Sequence, residues 1–275
     1  MTAIPNTLAS ARDGSLLARG PVREREAVPA SPLDVLNAAA DEVVAALAGV
    51  EDWGLTGVVN SQYNHDIVAD SAALAVLLGA GFGVFSEESG LHHPERPVLV
   101  VIDPVDGSTN ASHGLPWWAV SLCAMDESGP LAAVVYGVPT GERFEAVRGQ
   151  GARCNGVTLK PSVVTRLDQA VLAFNGHAPV KFGWGQYRAF GSAALELCLV
   201  ASGALDGFVD FSGSSLAPWD YLGAALVCNE AGAVVGDAFG RDLDVRGPGE
   251  RRAVIAANGA PLFAQLVQAR VTSGK

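Results

Sequence analysis

Apolar positions along the chain fall into two successive rhythms. In the first, "SPLD" opens a helix, with Ser31 as N-cap, Pro32 in the first turn and Asp34 as a weak capping-box partner. Leu36, Ala40, Val43 and Leu47 then recur at helical spacing until Gly49 stops them. A second helix is predicted from about Asp66 to Leu78, apolar on nearly every side and therefore buried. "FGVFS" (82–86), "PVLVVI" (97–102), "WAVSLCAM" (118–125), "LAAVVYGV" (131–138) and "RFEAVRG" (143–149) read as short strands. Gly and Pro turns punctuate them in the manner of an antiparallel meander.

After about residue 160 strands and helices alternate. "AVLAFN" (170–175), "LDGFVDF" (205–211) and "AVIAAN" (253–258) read as strands. "SAALELCLVASG" (192–203), "WDYLGAALVCNEAG" (219–232, stopped by Gly232) and a segment from about Pro261 to Arg270 read as helices. The organisation expected is a leader over 1–30, an N-terminal α+β half over 31–160 and a C-terminal α/β half over 161–275, giving a layered α/β fold.

Composition narrows the class. The chain has 275 residues, 49% of them hydrophobic, which fits a globular protein with ample core. No apolar stretch approaches the roughly 20 residues of a membrane helix, so no membrane association is expected. The first 30 residues carry Arg12, Arg19, Arg23 and Arg25 without the apolar block of a signal peptide, so a cytoplasmic protein is expected. Acids outnumber bases 29 to 18, for a net charge of −11, which disfavours nucleic acid as a partner. A phosphorylated small substrate stays open, because bound cations reverse the local sign. Cys123, Cys154, Cys198 and Cys228 lie far apart and read as free thiols.

Three acidic groups sit where a β-rich run ends or a helix begins: Glu87 and Glu88 in "FSEESG", Asp103 and Asp106 in "VIDPVDGSTN", and Asp220 in "APWDY". Singly they have ordinary readings: a solvated loop pair, an Asx-type turn, and a helix N-terminal acid favouring the macrodipole. Brought together they repel severely, since two carboxylates ~4 Å apart cost ~4 kcal/mol at an effective dielectric of 20. Such a cluster must take up protons or bind cations, and oxygen-only ligands suit Mg²⁺ or Mn²⁺. No His or Cys accompanies the acids at zinc-ligand spacing. Pro104 lets the Val105 carbonyl turn toward the aspartates, Gly107 permits close backbone approach, and "STN" begins a short helix whose amides suit a phosphate. With a hydroxyl from Ser108 or Thr109, the set points to metal-assisted phosphate ester hydrolysis.

"DPVDGSTN", with "FSEES" before it and "PWDYLGAALVCNEAG" after it, resembles the inositol monophosphatase superfamily of metal-dependent phosphatases. The resemblance spans about residues 31–270 and implies the alternating αβαβα sandwich of the inositol monophosphatase and fructose-1,6-bisphosphatase type. It implies two Mg²⁺ ions, or three, with Mn²⁺ a substitute. Glu87, Asp103 and the Val105 carbonyl would hold one; Asp103, Asp106 and Asp220 would hold the second. Glu87, with Ser108 as hydroxyl partner, would position the attacking water, Glu88 would support it, and Gly107, Ser108 and Thr109 would grip the phosphate. Asp66 and Asp70 match an upstream acid pair that supports the metal region. Ser192 and Ala193 in "FGSAA", and Asp210 in place of an alcohol-recognising glutamate, are the implied substrate contacts.

The pattern departs from the family in the Ser after "DG", in the lack of a lysine upstream of Asp66, and in the "FSGSSLAP" segment before Trp219. The expected activity is hydrolysis of a small polyol or cyclitol monophosphate by a homodimer. Alternatives are a sugar bisphosphate, a 3′-phosphoadenosine nucleotide or histidinol phosphate as substrate, or a member that binds metal and ligand without turnover. His92 and His93 are read as exposed loop residues, and Trp117 and Trp118 as core or dimer packing.

Overall fold

Ser31 makes the capping box its sequence predicts: its hydroxyl accepts the Asp34 N–H at 3.2 Å, and Asp34 Oδ2 accepts the Ser31 N–H at 3.3 Å. Helix α1 (Pro32–Leu47) follows and buries Leu36, Ala39, Ala40, Val43 and Leu47 along one stripe. The computed structural model describes residues 31–57, 62–213 and 215–273, so the leader predicted over 1–30 lies outside the described residues.

Helix α2 (Asn64–Gly79) begins two residues before its predicted start and differs in burial from expectation. Its buried stripe is His65, Asp66, Ala69, Asp70, Ala73 and Leu77, whereas Ile67 and Val68 are 46% and 38% exposed. Only one side of α2 faces α1 and the sheet, and packing decided which residues went inside.

The first sheet holds eight strands in the order β2-β1-β3-β4-β5-β6-β7-β8. They are β1 (Gly83–Ser86), β2 (Gly90–His92), β3 (Leu99–Asp106), β4 (Ala119–Asp126), β5 (Gly129–Gly137), β6 (Glu142–Val147), β7 (Ala152–Cys154) and β8 (Val157–Thr158). From β3 to β6 they form the predicted antiparallel meander, which β7 and β8 extend, while β1, expected in the same meander, runs parallel to β3. His92 therefore belongs to an edge strand, with His93 just beyond it, rather than to a loop.

The second sheet has the order β10-β9-β11-β13-β12. Its strands are β9 (Val171–Asn175), β10 (Gln186–Arg188), β11 (Gly207–Asp210), β12 (Val234–Asp237) and β13 (Val254–Ala257). Between and around them lie α4 (Ala193–Ser202), α5 (Pro218–Ala231) and α6 (Ala260–Ser273), while the short α3 (Ser108–Ser112) follows β3.

Alternation along each strand sorts the core into layers. Val84, Val100 and Ile102 pack with α1 and α2 on one side of the first sheet. Phe85, Val101, Ala119 and Cys123 pack on its other side with α4 and α5, and these helices also cover Ala173, Phe208 and Ala256 of the second sheet. Leu172, Val209 and Ile255 close the far side with Leu262 and Leu266 of α6. The fold is an αβαβα sandwich. Cys123, Cys198 and Cys228 are buried free thiols, and Cys154 is half-buried. No helix among the described residues is long and apolar enough to cross a membrane.

Candidate active site

Strand β3 does not empty into a turn after Ile102; it carries both aspartates. Asp103 pairs with Ser121 and Asp106 with Ala119, so three steps along β3 oppose two along β4. The extra residue is a β-bulge at Pro104–Val105, and it cancels the alternation that would otherwise send the acids to opposite faces. Both therefore face the layer of α4 and α5, as their partner Ser121 does by donating its hydroxyl to the Trp219 carbonyl at 3.1 Å. Register adds Glu87 to the same face. Ser86 pairs with Ile102 in the parallel β1–β3 ladder, and the Glu87 N–H continues it to the Ile102 carbonyl at 3.1 Å. Asp220 arrives from the opposite layer, in the first turn of α5.

Carboxylate oxygens of Glu87, Asp103 and Asp220 lie within 4.8 Å of one another. Asp103 is pushed well above the ordinary carboxylate range by burial, then by the charges of Glu87, Asp106 and Asp220. Asp220 is raised well above it by burial and then by Glu87 and Asp106, against the Ala217 amide and Arg251. The Arg251 guanidinium lies 5.4 Å from the centre of the Trp219 ring. Glu87 is exposed as a whole, yet burial of its carboxyl end, followed by Glu88, Asp106 and Asp66, lifts it to about 7 against a hydrogen bond with Asp103. Burial lifts Asp106 to about 6, opposed by hydrogen bonds from Ser192 and the Ala194 and Ala193 amides. Desolvated acids with raised proton affinity and oxygen-only donors fit a hard divalent cation.

The remaining predicted residues occupy definite places. The Val105 carbonyl accepts the Ser108 hydroxyl at 2.8 Å, and the Val105 N–H donates to Asp103 Oδ1 at 2.9 Å. Thr109 is exposed, its hydroxyl 3.3 Å from that of Tyr63. Asp66 caps α2 through the Tyr63 N–H at 2.9 Å, and its carboxyl is raised by burial against hydrogen bonds from that amide and from Ser108. Asp70 lies behind the first sheet, where it accepts the Ser86 hydroxyl at 2.5 Å. Ser86 in turn accepts the Glu88 N–H at 3.1 Å, and Glu88 Oε2 accepts Gln62 Nε2 at 2.6 Å.

The three residues expected to contact substrate are all buried. Asp210 is fully buried, and its Oδ1 accepts Asn175 Nδ2 at 2.9 Å, the Ser212 N–H at 2.9 Å and the Ser212 hydroxyl at 2.6 Å. Through Oδ1 it fastens the end of β11 to β9, while its buried Oδ2 has no hydrogen-bond partner among the described residues. Ser192 and Ala193 are also buried, and Ser192 donates its hydroxyl to Asp106 Oδ2 at 2.7 Å, so the turn serves the acid. Trp118 packs in the core, and Trp117 stacks on Phe190 with ring centres 4.9 Å apart.

Asn110 and His65 were not singled out as site residues from the sequence, and Gly107 was. Asn110, inside the central motif, donates Nδ2 to the carbonyls of Trp117 at 2.8 Å and Phe190 at 2.7 Å. His65 is buried between Trp53 and Tyr63, at 4.6 and 5.2 Å, and burial lowers it to about 4, so it is neutral. Gly107 has φ +97°, and a Cβ there would come within 3.1 Å of the Gly191 carbonyl and 3.2 Å of the Trp117 carbonyl. Gly107→Ala is expected to destabilise the fold by ~1–3 kcal/mol, read from the urea midpoint. An open groove of about 590 Å³ along α6, lined by Leu167, Val180 and Phe182, shares no residue with the acids.

Residues 51–274 match the inositol monophosphatase family. The fructose-1,6-bisphosphatase of Pyrococcus furiosus is 34% identical over 202 residues, covering 72% of this chain and 79% of that protein. The Escherichia coli K12 protein named Nus factor SuhB is 37% identical over 172 residues, covering 57% of this chain and 63% of its own. Among solved structures, the extragenic suppressor protein SuhB of Bartonella henselae superposes with a TM-score of 0.74 at 30% identity, covering 86% of this chain and 96% of that one.

Proposed function

The chain belongs to the inositol monophosphatase family, a family of phosphatases, and from that premise we propose that it is a Mg²⁺-dependent phosphomonoesterase acting on a small polyol or cyclitol monophosphate. The observation that carries this reading is the convergence of Glu87, Asp103 and Asp220 within 4.8 Å from three separate segments. Bound divalent cations would neutralise these acids, lower the pKa of a coordinated water and bear charge on the phosphate.

The chain's own groups divide the remaining work. Glu87, Asp103, Asp106, Asp220 and the Val105 carbonyl would hold the cations. Glu87 and the Ser108 hydroxyl orient the attacking water, with Asp66 beside Ser108 and Glu88 beside Glu87. The amides of Gly107 and Ser108, with Thr109, hold the phosphate in line with that water. A homodimer is part of the proposal and is checked by light scattering on the purified protein.

A second reading, a sugar bisphosphate as substrate, is favoured by the identity with the Pyrococcus furiosus enzyme. Phosphate release from inositol monophosphate, fructose 1,6-bisphosphate, a 3′-phosphoadenosine nucleotide and histidinol phosphate, with and without millimolar Mg²⁺, tests both. Release that requires Mg²⁺ and is fastest with the cyclitol is expected. Release fastest with the bisphosphate selects the second reading, and silence across the panel contradicts both in favour of a member that binds without turnover.

A further inference from the structure

Glu196 is 1% exposed in the first turn of α4, yet it has no place in the chemistry above. Its Oε1 accepts the Phe190 N–H at 2.5 Å and the Gly191 N–H at 3.3 Å. Those residues open the turn from which the Ser192 hydroxyl and the Ala194 N–H reach Asp106 Oδ2, each at 2.7 Å. Asn110 grips the same turn from the other side through the Phe190 carbonyl. Gly191, at φ +87°, would bring a Cβ within 3.2 Å of Asn110 Nδ2, so a side chain there would be strained and would press on the clasp.

A buried carboxyl costs free energy that an apolar residue of similar size would not, so its presence calls for a compensating role. Burial, and then Asp106 against the Phe190 and Gly191 hydrogen bonds, lifts Glu196 to about 8.

We propose that Glu196 is a positioning residue for the cation site: by accepting the amides of residues 190 and 191 it fixes the turn that aims Asp106. This rests on the reading of the site as a divalent-cation centre. Asp106 Oδ2 is committed to Ser192 and Ala194, so the direction of its other oxygen follows from where that turn sits.

The test compares Glu196→Leu, which strands two amides, with Glu196→Gln, which keeps an acceptor oxygen in the same place. Two measurements are made on the full chain: amide hydrogen exchange of residues 190–194 without metal, and Mg²⁺ affinity by calorimetry. Glu196→Leu is expected to speed exchange at Ala194 while the last turn of α4 stays protected, and to weaken Mg²⁺ binding about 10- to 100-fold, the usual loss when a ligand's support is removed. Glu196→Gln is expected to match the wild type in both. Should Glu196→Leu fail to fold, Asn110→Ala, which frees the opposite side of the turn, carries the same expectation. Unchanged Mg²⁺ affinity and exchange in Glu196→Leu would overturn the proposal, as would equal losses in Glu196→Gln. A wild type that binds no Mg²⁺ overturns the cation reading instead, and the exchange measurement then still decides whether Glu196 holds the turn.

Discussion

Asp220→Asn is expected to lower Mg²⁺-dependent phosphate release by more than about 100-fold while the chain stays folded. Removing a group that merely supports a ligand costs about 10- to 100-fold, so replacing a ligand itself costs more. The fold survives because Asp220 Oδ2 also accepts the Ala217 N–H at 2.7 Å, a cap that the asparagine oxygen can retain. The variant also loses one member of a repelling group, so in EDTA it should melt above the wild type. Phosphate release at saturating Mg²⁺ and a melt in EDTA check the two halves. Unchanged turnover would remove Asp220 from the site.

Without metal, the raised acids should make the wild type less stable as pH rises from about 4 to about 7, with the buried neutral His65 opposing part of that decline below about 6.5. Asp106 stands at about 6 and Glu87 at about 7 in the folded chain, whereas unfolded carboxyls titrate near 4. Between those values the folded chain binds more protons than the unfolded one, so unfolding free energy declines with pH. The stabilisation is fully present below the unfolded pKa and is lost once pH passes the folded one. For the buried Asp106 the loss is on the order of 3 kcal/mol, at ~1.4 kcal/mol for each pH unit separating the two states. Mg²⁺ binds the ionised acids and should cancel the decline, adding ~2.7 kcal/mol at a hundred times its Kd. Melting curves at pH 4.5, 6 and 7.5, with EDTA or Mg²⁺, read this directly. A melting temperature that rises with pH in EDTA, or a Mg²⁺ effect equal at pH 4.5 and 7.5, would contradict it.

The helices and most strands were legible because local pattern and tertiary packing agree, as at Ser31, Asp34 and the Leu36–Leu47 stripe of α1. The acids were legible for a different reason: carboxylates packed about Pro104 and Gly107 leave few ordinary uses. Their spacing was not explained by sequence, because a bulge is a property of two paired strands and only the β3–β4 register exposes it. Asp210 shows the converse. The family resemblance implies a substrate contact at Asp210, and only the fold shows that Asn175, 35 residues away in the chain, donates to its Oδ1. Glu196 in "SAALELC" lies in a predicted helix whose sequence does not mark it as internal. It is internal because α4 lies between two sheets, and no period within one helix reveals that. Burial of α2 was overestimated because its composition is uniform and its environment is one-sided.

A main-chain N–H anchors each of four acids here: Tyr63 for Asp66, Val105 for Asp103, Ala194 for Asp106 and Ala217 for Asp220. Such an anchor has no side chain to lose, and short of proline any substitution at those four positions leaves its donor atom in the chain. The ionic seat is thereby insulated from drift in the residues that line its mouth.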